Sequence, residues 1–460
     1  MKSDGLTEKE LLELESLYCS YGDTVHYLAN PTIFDRCEGS WLYDLRDVPY
    51  LDLQMWYSAV NFGYRNPEIE DAHSRQMARL PQVASQYLHR EKILLAARIA
   101  KETEKRFGSR GRVHFNVGGA QAVEDGIKLV RNYKSGKSLM FAFMGGYHGR
   151  TLGATEITSS FRYRKRYGHF GNKAHLVPFP YCFRCYYEKD RRNCSYECIR
   201  YFEKLFETEY HGVLDLKDNE AEYAAFFIEP IQATGGYVIP PPDYFAKLAT
   251  VLKRYDILLV DDEIQMGFYR TGKLWAAEHF GIQPDVVAFA KSLTNGLNPL
   301  SGIWAREELI NPRIFPPGST HSTFSSNPLG TAAGLAVMEY VERYDFEKSV
   351  DEKGAYLLAR LRDLQKKYGV IGDVDGLGLA ARIEMTKSDG FTPDRKLTDT
   401  IFHEGMKGDI TLDGKEYGLV LDVGGYYKNV FTLAPALTIS HDEIDLFGRL
   451  FEALLKRCGI

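Results

Sequence analysis

Four apolar runs of strand length in the middle of this chain are continuous rather than alternating: Ser138 to Phe143 (SLMFAF), Ala224 to Glu229 (AAFFIE), Ile257 to Asp262 (ILLVDD) and Val286 to Ala290 (VVAFA). A strand that alternates apolar and polar residues can leave one face in water, whereas an unbroken apolar strand needs cover on both. Helical patterns lie between the runs, so the cover is helices on either side of a mainly parallel sheet, an α/β architecture. In such sheets ligands sit beyond the carboxyl ends of the strands, and the polar residues after each run are the first to inspect for chemistry.

Of the 460 residues, 44% are hydrophobic and 26% charged, a globular balance that excludes a disordered chain. The length suggests roughly two or three domains, and no repeat, low-complexity tract or Pro/Gly/Ser linker separates them. We expect an N-terminal segment, 1–60, packing with a small domain, then a large domain over 61–328 and a smaller C-terminal α/β domain over 329–460. The last should hold a long helix over Leu329 to Arg343, short strands such as Gly378 to Glu384 and Val430 to Leu433, and a final helix from His441. A formal net charge of -5 provides no broad field for nucleic acid or anionic lipid, so any anion site must be local. Met1 to Glu15 lacks the apolar core of a secretory signal, and no apolar run reaches membrane-spanning length. With seven cysteines, odd and sparse, the chain reads as soluble and cytoplasmic without a disulfide framework.

Three elements carry chemistry. In Phe115 to Arg131 (FNVGGAQAVEDGIKLVR), Gly118 and Gly119 follow a short apolar stretch and open a helical pattern, where free amides and the helix dipole favour a phosphate. Such a glycine pair is more often a plain turn. Stricter phosphate and dinucleotide patterns fail, because Gly136-Lys137-Ser138 lacks its upstream glycine and Gly376-Leu377-Gly378 opens no helix. In Ile257 to Gly272, a buried strand ends in Asp261, Asp262 and Glu263, with Gln265 next. A carboxylate there can bind a metal, act as a base or hold a cationic heterocycle protonated. In Pro284 to Gly296, a second strand ends in Lys291; burial there favours the neutral, nucleophilic amine, and the bland alternative is a lysine reaching solvent.

A phosphate cradle, a carboxylate for a ring nitrogen and a Schiff-base amine match the three handles of pyridoxal 5′-phosphate. In these motifs and their order the sequence resembles the class III (ω-amino acid) aminotransferases, fold-type I enzymes of that cofactor, from about Tyr50 to the C-terminus. The resemblance implies a large domain with a mainly parallel, seven-stranded sheet plus a smaller α/β domain. It implies Lys291 as the covalent anchor and proton carrier, Asp262 at the pyridine nitrogen, and Gln265 near the phenolic oxygen. Gly119 and Ala120 fall at the phosphate, with Ala120 lacking the family's hydroxyl. Tyr147 in GGYHGR matches the aromatic stacked on the ring, and Glu229 in EPIQATGG a supporting carboxylate. Thr323 matches a threonine that reaches the phosphate of a neighbouring subunit, so a homodimer with shared active sites is implied.

The sequence departs from that family in two linked places. The arginine that holds a substrate α-carboxylate falls on Thr432, and the glutamate that parks it falls on Thr234. Losing both charges together leaves neither uncompensated, and puts the usual glutamate or 2-oxoglutarate half-reaction in doubt. Candidate replacements are Arg162, Arg164 and Arg166 in Phe161 to Tyr167 (FRYRKRY), where an Arg fork can take a carboxylate, although a solvated loop is the ordinary reading. Tyr57 aligns with a substrate-pocket position in ornithine-type members. Inside an insertion at 181–200, Cys182, Cys185, Cys194 and Cys198 have C-x2-C-x8-C-x3-C spacing; they can close a zinc or iron-sulfur site or stay as reduced thiols. The reading that follows is a transaminase acting by a ping-pong exchange between an amine or amino acid and a keto acid or aldehyde. A racemase, epimerase or decarboxylase on the same scaffold is the alternative, and a non-enzymatic metal-binding module a more distant one.

Overall fold

Alternate residues of one buried strand feed two different cores. In Tyr223–Ile228, Phe226 and Ile228 pack with Phe141, Phe143, Phe245 and Leu259, whereas Ala225 and Phe227 pack with Ala122, Ile127, Met140 and Val260. That is the period-two consequence of a strand covered on both faces. In the computed structural model, which describes residues 5–28, 31–165, 167 and 174–460, helix Tyr244–Arg254 supplies Phe245 and Leu248 to the first core and helix Gly119–Tyr133 supplies Ala122 and Ile127 to the second.

The seven-stranded sheet runs in the order Gly111–Asn116, Ser301–Arg306, Val286–Phe289, Leu258–Asp262, Tyr223–Ile228, Leu139–Phe143, His175–Val177. All pairings are parallel except those of Ser301–Arg306, which is antiparallel to both neighbours. Residues 290–300 are too few for the crossover of a dozen or more residues that a parallel return requires.

Two further sheets close over the carboxyl edge. Strands Ile371–Leu377, Ala380–Met385, Val430–Leu433 and Asp422–Gly424 form an antiparallel sheet in that order. A five-stranded sheet joins Phe34–Glu38, Trp41–Asp44 and Pro49–Asp52 to Lys415–Val420 and Ile410–Leu412, with Tyr50 in parallel register with Gly418. The strand expected from Gly378 starts at Ala380, because Gly378 is in a turn at φ +56°. The helix expected from Leu329 starts at Pro328, capped by Asn327. A second long helix, Phe346–Lys367, was not anticipated and buries Val350, Leu357, Leu361 and Leu364. The cysteine-bearing segment docks on the antiparallel sheet: Tyr181 and Arg184 both donate to buried Glu384, and Arg382 reaches Tyr181 and Asp373. Among the described residues no helix is long and apolar enough to cross a membrane.

Candidate active site

Strand Leu258–Asp262 carries Asp262 to its carboxyl end, and its parallel neighbour Val286–Phe289 carries Lys291 just past its own, with Asp262 opposite Ala288. Both enter one cavity of about 1550 Å³, whose wall also includes Gly119, Ala120, Tyr147, Glu229 and Gln265. The fold thus gathers seven separated sequence positions in one place.

Lys291 turns into the cavity with φ at +41°, in the left-handed region. Its Nζ donates to Gln265 Oε1 at 2.8 Å, and Gln265 Nε2 donates to the Tyr237 hydroxyl at 2.8 Å. Burial pushes the amine down to about 8, against the opposing charges of Asp262, Glu229 and Asp422. A neutral nucleophile is therefore accessible at mildly alkaline pH.

Asp262 is held on both oxygens: His148 Nδ1 donates to Oδ2 at 2.7 Å and the Ile264 amide to Oδ1 at 3.2 Å. Burial alone would lower the His148 pKa, but the hydrogen bond to Asp262 and the charges of Asp262 and Glu229 outweigh it and raise it. Sequence reasoning missed His148, although it directly follows Tyr147 and a buried carboxylate requires a donor. Glu229 accepts from the Tyr147 amide at 2.8 Å and the Ala233 amide at 2.9 Å, so it fixes the loop that carries Tyr147. Burial, reinforced by Asp262, raises the Glu229 carboxyl to about 7.

At the other end of the cavity the helix Gly119–Tyr133 begins. Gln121 accepts the Gly118 amide through its side chain at 3.1 Å and the Gln121 and Ala122 amides donate to the Gly118 carbonyl, which leaves the amides of Gly119 and Ala120 without an acceptor among the described residues. Ala120 lies against Gly149, at φ +129°, where a Cβ would stand 2.6 Å from the Ala120 Cβ. The segment after Tyr147 therefore approaches the helix start more closely than a larger residue at 149 would allow.

The substrate-side candidates divide. Tyr57 lines the cavity, raised in pKa by burial and by Asp422, on a turn in which Met55, Trp56, Tyr57 and Ser58 all have positive φ. Arg162 lines it too, but Arg164 does not; that guanidinium donates to the Ser159 carbonyl at 3.1 Å and is turned aside. Arg166 lies outside the described residues. Thr234 is in the wall, whereas Thr432 is buried behind it and donates to Asp422 Oδ2 at 2.7 Å. Asp422 was not singled out from sequence. Thr323 is exposed, away from the cavity of its own chain.

For the cysteine cluster the sequence leaves two readings open, a metal ligand set or reduced thiols. Among the described residues no three His, Cys, Asp or Glu side chains form a group able to hold a metal ion, and all seven cysteines are free. Cys182 donates to the Pro180 carbonyl and Cys194 accepts from the Tyr196 amide, while Cys185 and Cys194 act electrostatically on Cys182, and Cys194 and Cys182 on Cys198. Burial raises the Cys198 thiol to about 12.

Residues 24–455 match the family model described as Aminotransferase class-III. A leucine/methionine racemase of Thermococcus litoralis is 32% identical over 96% of this chain and 94% of its own length. An ornithine aminotransferase of Saccharomyces cerevisiae is 29% identical over 96% of this chain and 97% of its own. An amine transaminase structure from an uncultivated Pseudomonas species, with pyridoxal phosphate bound, superposes at a TM-score of 0.83 with 26% identity, covering 96% of this chain and 98% of the other.

Proposed function

The chain belongs to the class-III aminotransferase family, enzymes that use pyridoxal 5′-phosphate to move an amino group, and we propose how its own residues do so. The observation that carries this reading is the convergence of a desolvated amine, a doubly held carboxylate, an aromatic ring and a helix start on one cavity. That donor set fits the cofactor: Lys291 for its aldehyde, Asp262 for its ring nitrogen, Tyr147 for its ring face, Gln265 for its phenolic oxygen, and the amides near Gly119 and Ala120 for its phosphate. When bound, the cofactor supplies an aldehyde that condenses with amines and a protonated ring that accepts the electron pair of a breaking C–H bond.

The protein supplies the rest. With the cofactor bound, Lys291 would hold its aldehyde carbon through Nζ and, when free of it, would move a proton between the substrate α-carbon and C4′. Asp262 keeps the ring nitrogen protonated, and His148, donating to its other side, holds that carboxylate in place. Glu229 positions the Tyr147 loop without touching the reaction. The donor is an amine or amino acid and the acceptor a keto acid or aldehyde. We also propose a homodimer in which Thr323 completes the partner's phosphate site, and a cytoplasmic setting consistent with seven unpaired cysteines.

Likeness to a racemase favours one second reading, proton return to the opposite face of the α-carbon, for which a second proton carrier is needed. Thr234 in the cavity wall has no ionisable group to serve as one, which leaves Asp422, in the same wall, as the group that reading would need. Incubating the holoenzyme with one enantiomer of an amino acid separates the two. Transamination leaves stoichiometric pyridoxamine phosphate and a carbonyl product, whereas return of the amino acid with scrambled configuration would overturn our reading. Borohydride fixation followed by peptide mapping should place the cofactor label on Lys291.

A further inference from the structure

Four of the five carboxylates in the cavity wall are committed. Asp52 accepts from the Gln54 and Met55 amides and the Tyr64 hydroxyl, Asp262 from His148 and Ile264, Glu229 from two amides, and Asp399 from Arg395. Asp422 is the exception: its partner is the Thr432 hydroxyl, directly opposite it in the register of strands Asp422–Gly424 and Val430–Leu433. The position at which the arginine was expected therefore supports a carboxylate. No lysine, arginine or histidine among the described residues forms an ion pair with Asp422. It lines the same cavity as Lys291, Tyr57 and Lys428, and its charge acts on all three and on Tyr237.

Other charges share this wall. Lys428 is half-buried; burial, Arg162 and Arg395 all push its amine down, and Asp422 alone opposes them. Lys428 nevertheless makes no ion pair with Asp422 among the described residues, so the carboxylate keeps acceptor capacity for a ligand.

We propose that Asp422 is a specificity residue that receives a second ammonium group of the substrate, so that the favoured amino donor is a diamine or a basic amino acid whose other amine reacts at Lys291. This rests on the transaminase reading of the cavity. The physical argument is complementarity: a partly desolvated carboxylate with spare acceptor capacity gains from a cation and loses from an apolar tail.

The test compares 1,5-diaminopentane with pentylamine, which has the same chain without the second charge. Two readouts are taken on the holoenzyme: titration of the bound cofactor's absorbance and kcat/KM for transfer to pyruvate. We expect the wild-type protein to prefer the diamine by roughly 30-fold or more in both, and Asp422→Asn, which keeps an acceptor for Thr432, to bring that ratio close to one. A wild-type ratio near one, or a ratio unchanged in Asp422→Asn, overturns the proposal. If instead the absorbance titration shows the preference while no amino group reaches pyruvate, the transaminase reading has failed and the role of Asp422 stands.

Discussion

The two sides of the cavity are built to different rules. On the side of the large sheet, polar groups are held in pairs: Asp262 between His148 and the Ile264 amide, Glu229 between two amides, Lys291 against Gln265, and Gln265 against Tyr237. On the side formed by residues 420–428, among the described residues Asp422 has one hydroxyl partner and Lys428 no counter-ion at bonding distance. Satisfied networks hold fixed geometry, as a cofactor needs. Unmet charges exert a field that only the right ligand neutralises. On the proposed reading, the difference teaches that chemistry and selectivity are divided between separate strands.

Variants that break the sheet side should have the largest effect. Lys291→Ala removes both anchor and proton carrier, and kcat/KM for amino transfer should fall by at least about 10⁴-fold, measured as loss of amine-driven conversion of the bound cofactor's absorbance. Asp262→Asn leaves shape intact but withdraws the charge that keeps the ring nitrogen protonated, with an expected loss of about 10²- to 10³-fold and a shifted absorbance maximum. If its effect matched that of an Asp422 variant, the division between the two sides would be wrong.

A stability effect sharpens the comparison. Beneath the site, Asp261 has neither oxygen hydrogen-bonded, and burial with the charges of Glu263 and Asp262 raises it well above the usual carboxylate range. Burial likewise raises Glu263 to about 8 and Glu229 to about 7. Raised carboxyls favour folding fully only below their unfolded values, and this contribution fades as pH climbs through the folded ones. The apo protein should therefore lose stability between about pH 5 and 8, and Asp261→Asn should recover on the order of 2 kcal/mol at the upper end, read from denaturant midpoints. A pH-independent midpoint would refute this account. The smallest expected effect is on the substrate side: Tyr57→Phe should change kcat/KM for the best amine by roughly three- to tenfold with cofactor retention unaltered.

What the sequence made legible was whatever is local. Unbroken apolar runs marked the central strands, and the polar residue at each strand's end marked Asp262 and Lys291, because strand burial and the carboxyl-edge rule act within a few residues. The helix Phe346–Lys367 was legible too, from the spacing of Val350, Leu357, Leu361 and Leu364, and was overlooked. Asp422 was not legible: its meaning depends on standing opposite Thr432, a pairing set by strand register. Arg164 illustrates the reverse, since a basic run names its charges but not which of them turns inward.

The parallel pairing of Tyr50 with Gly418 has a kinetic consequence. The strand at Tyr50 pairs with one about 370 residues downstream, a long loop to close. The large sheet can assemble once residues 111–306 are made, but the mouth of the cavity waits for residues 410–420. Truncation near the C-terminus should thus yield a protein with an assembled sheet and no finished entrance.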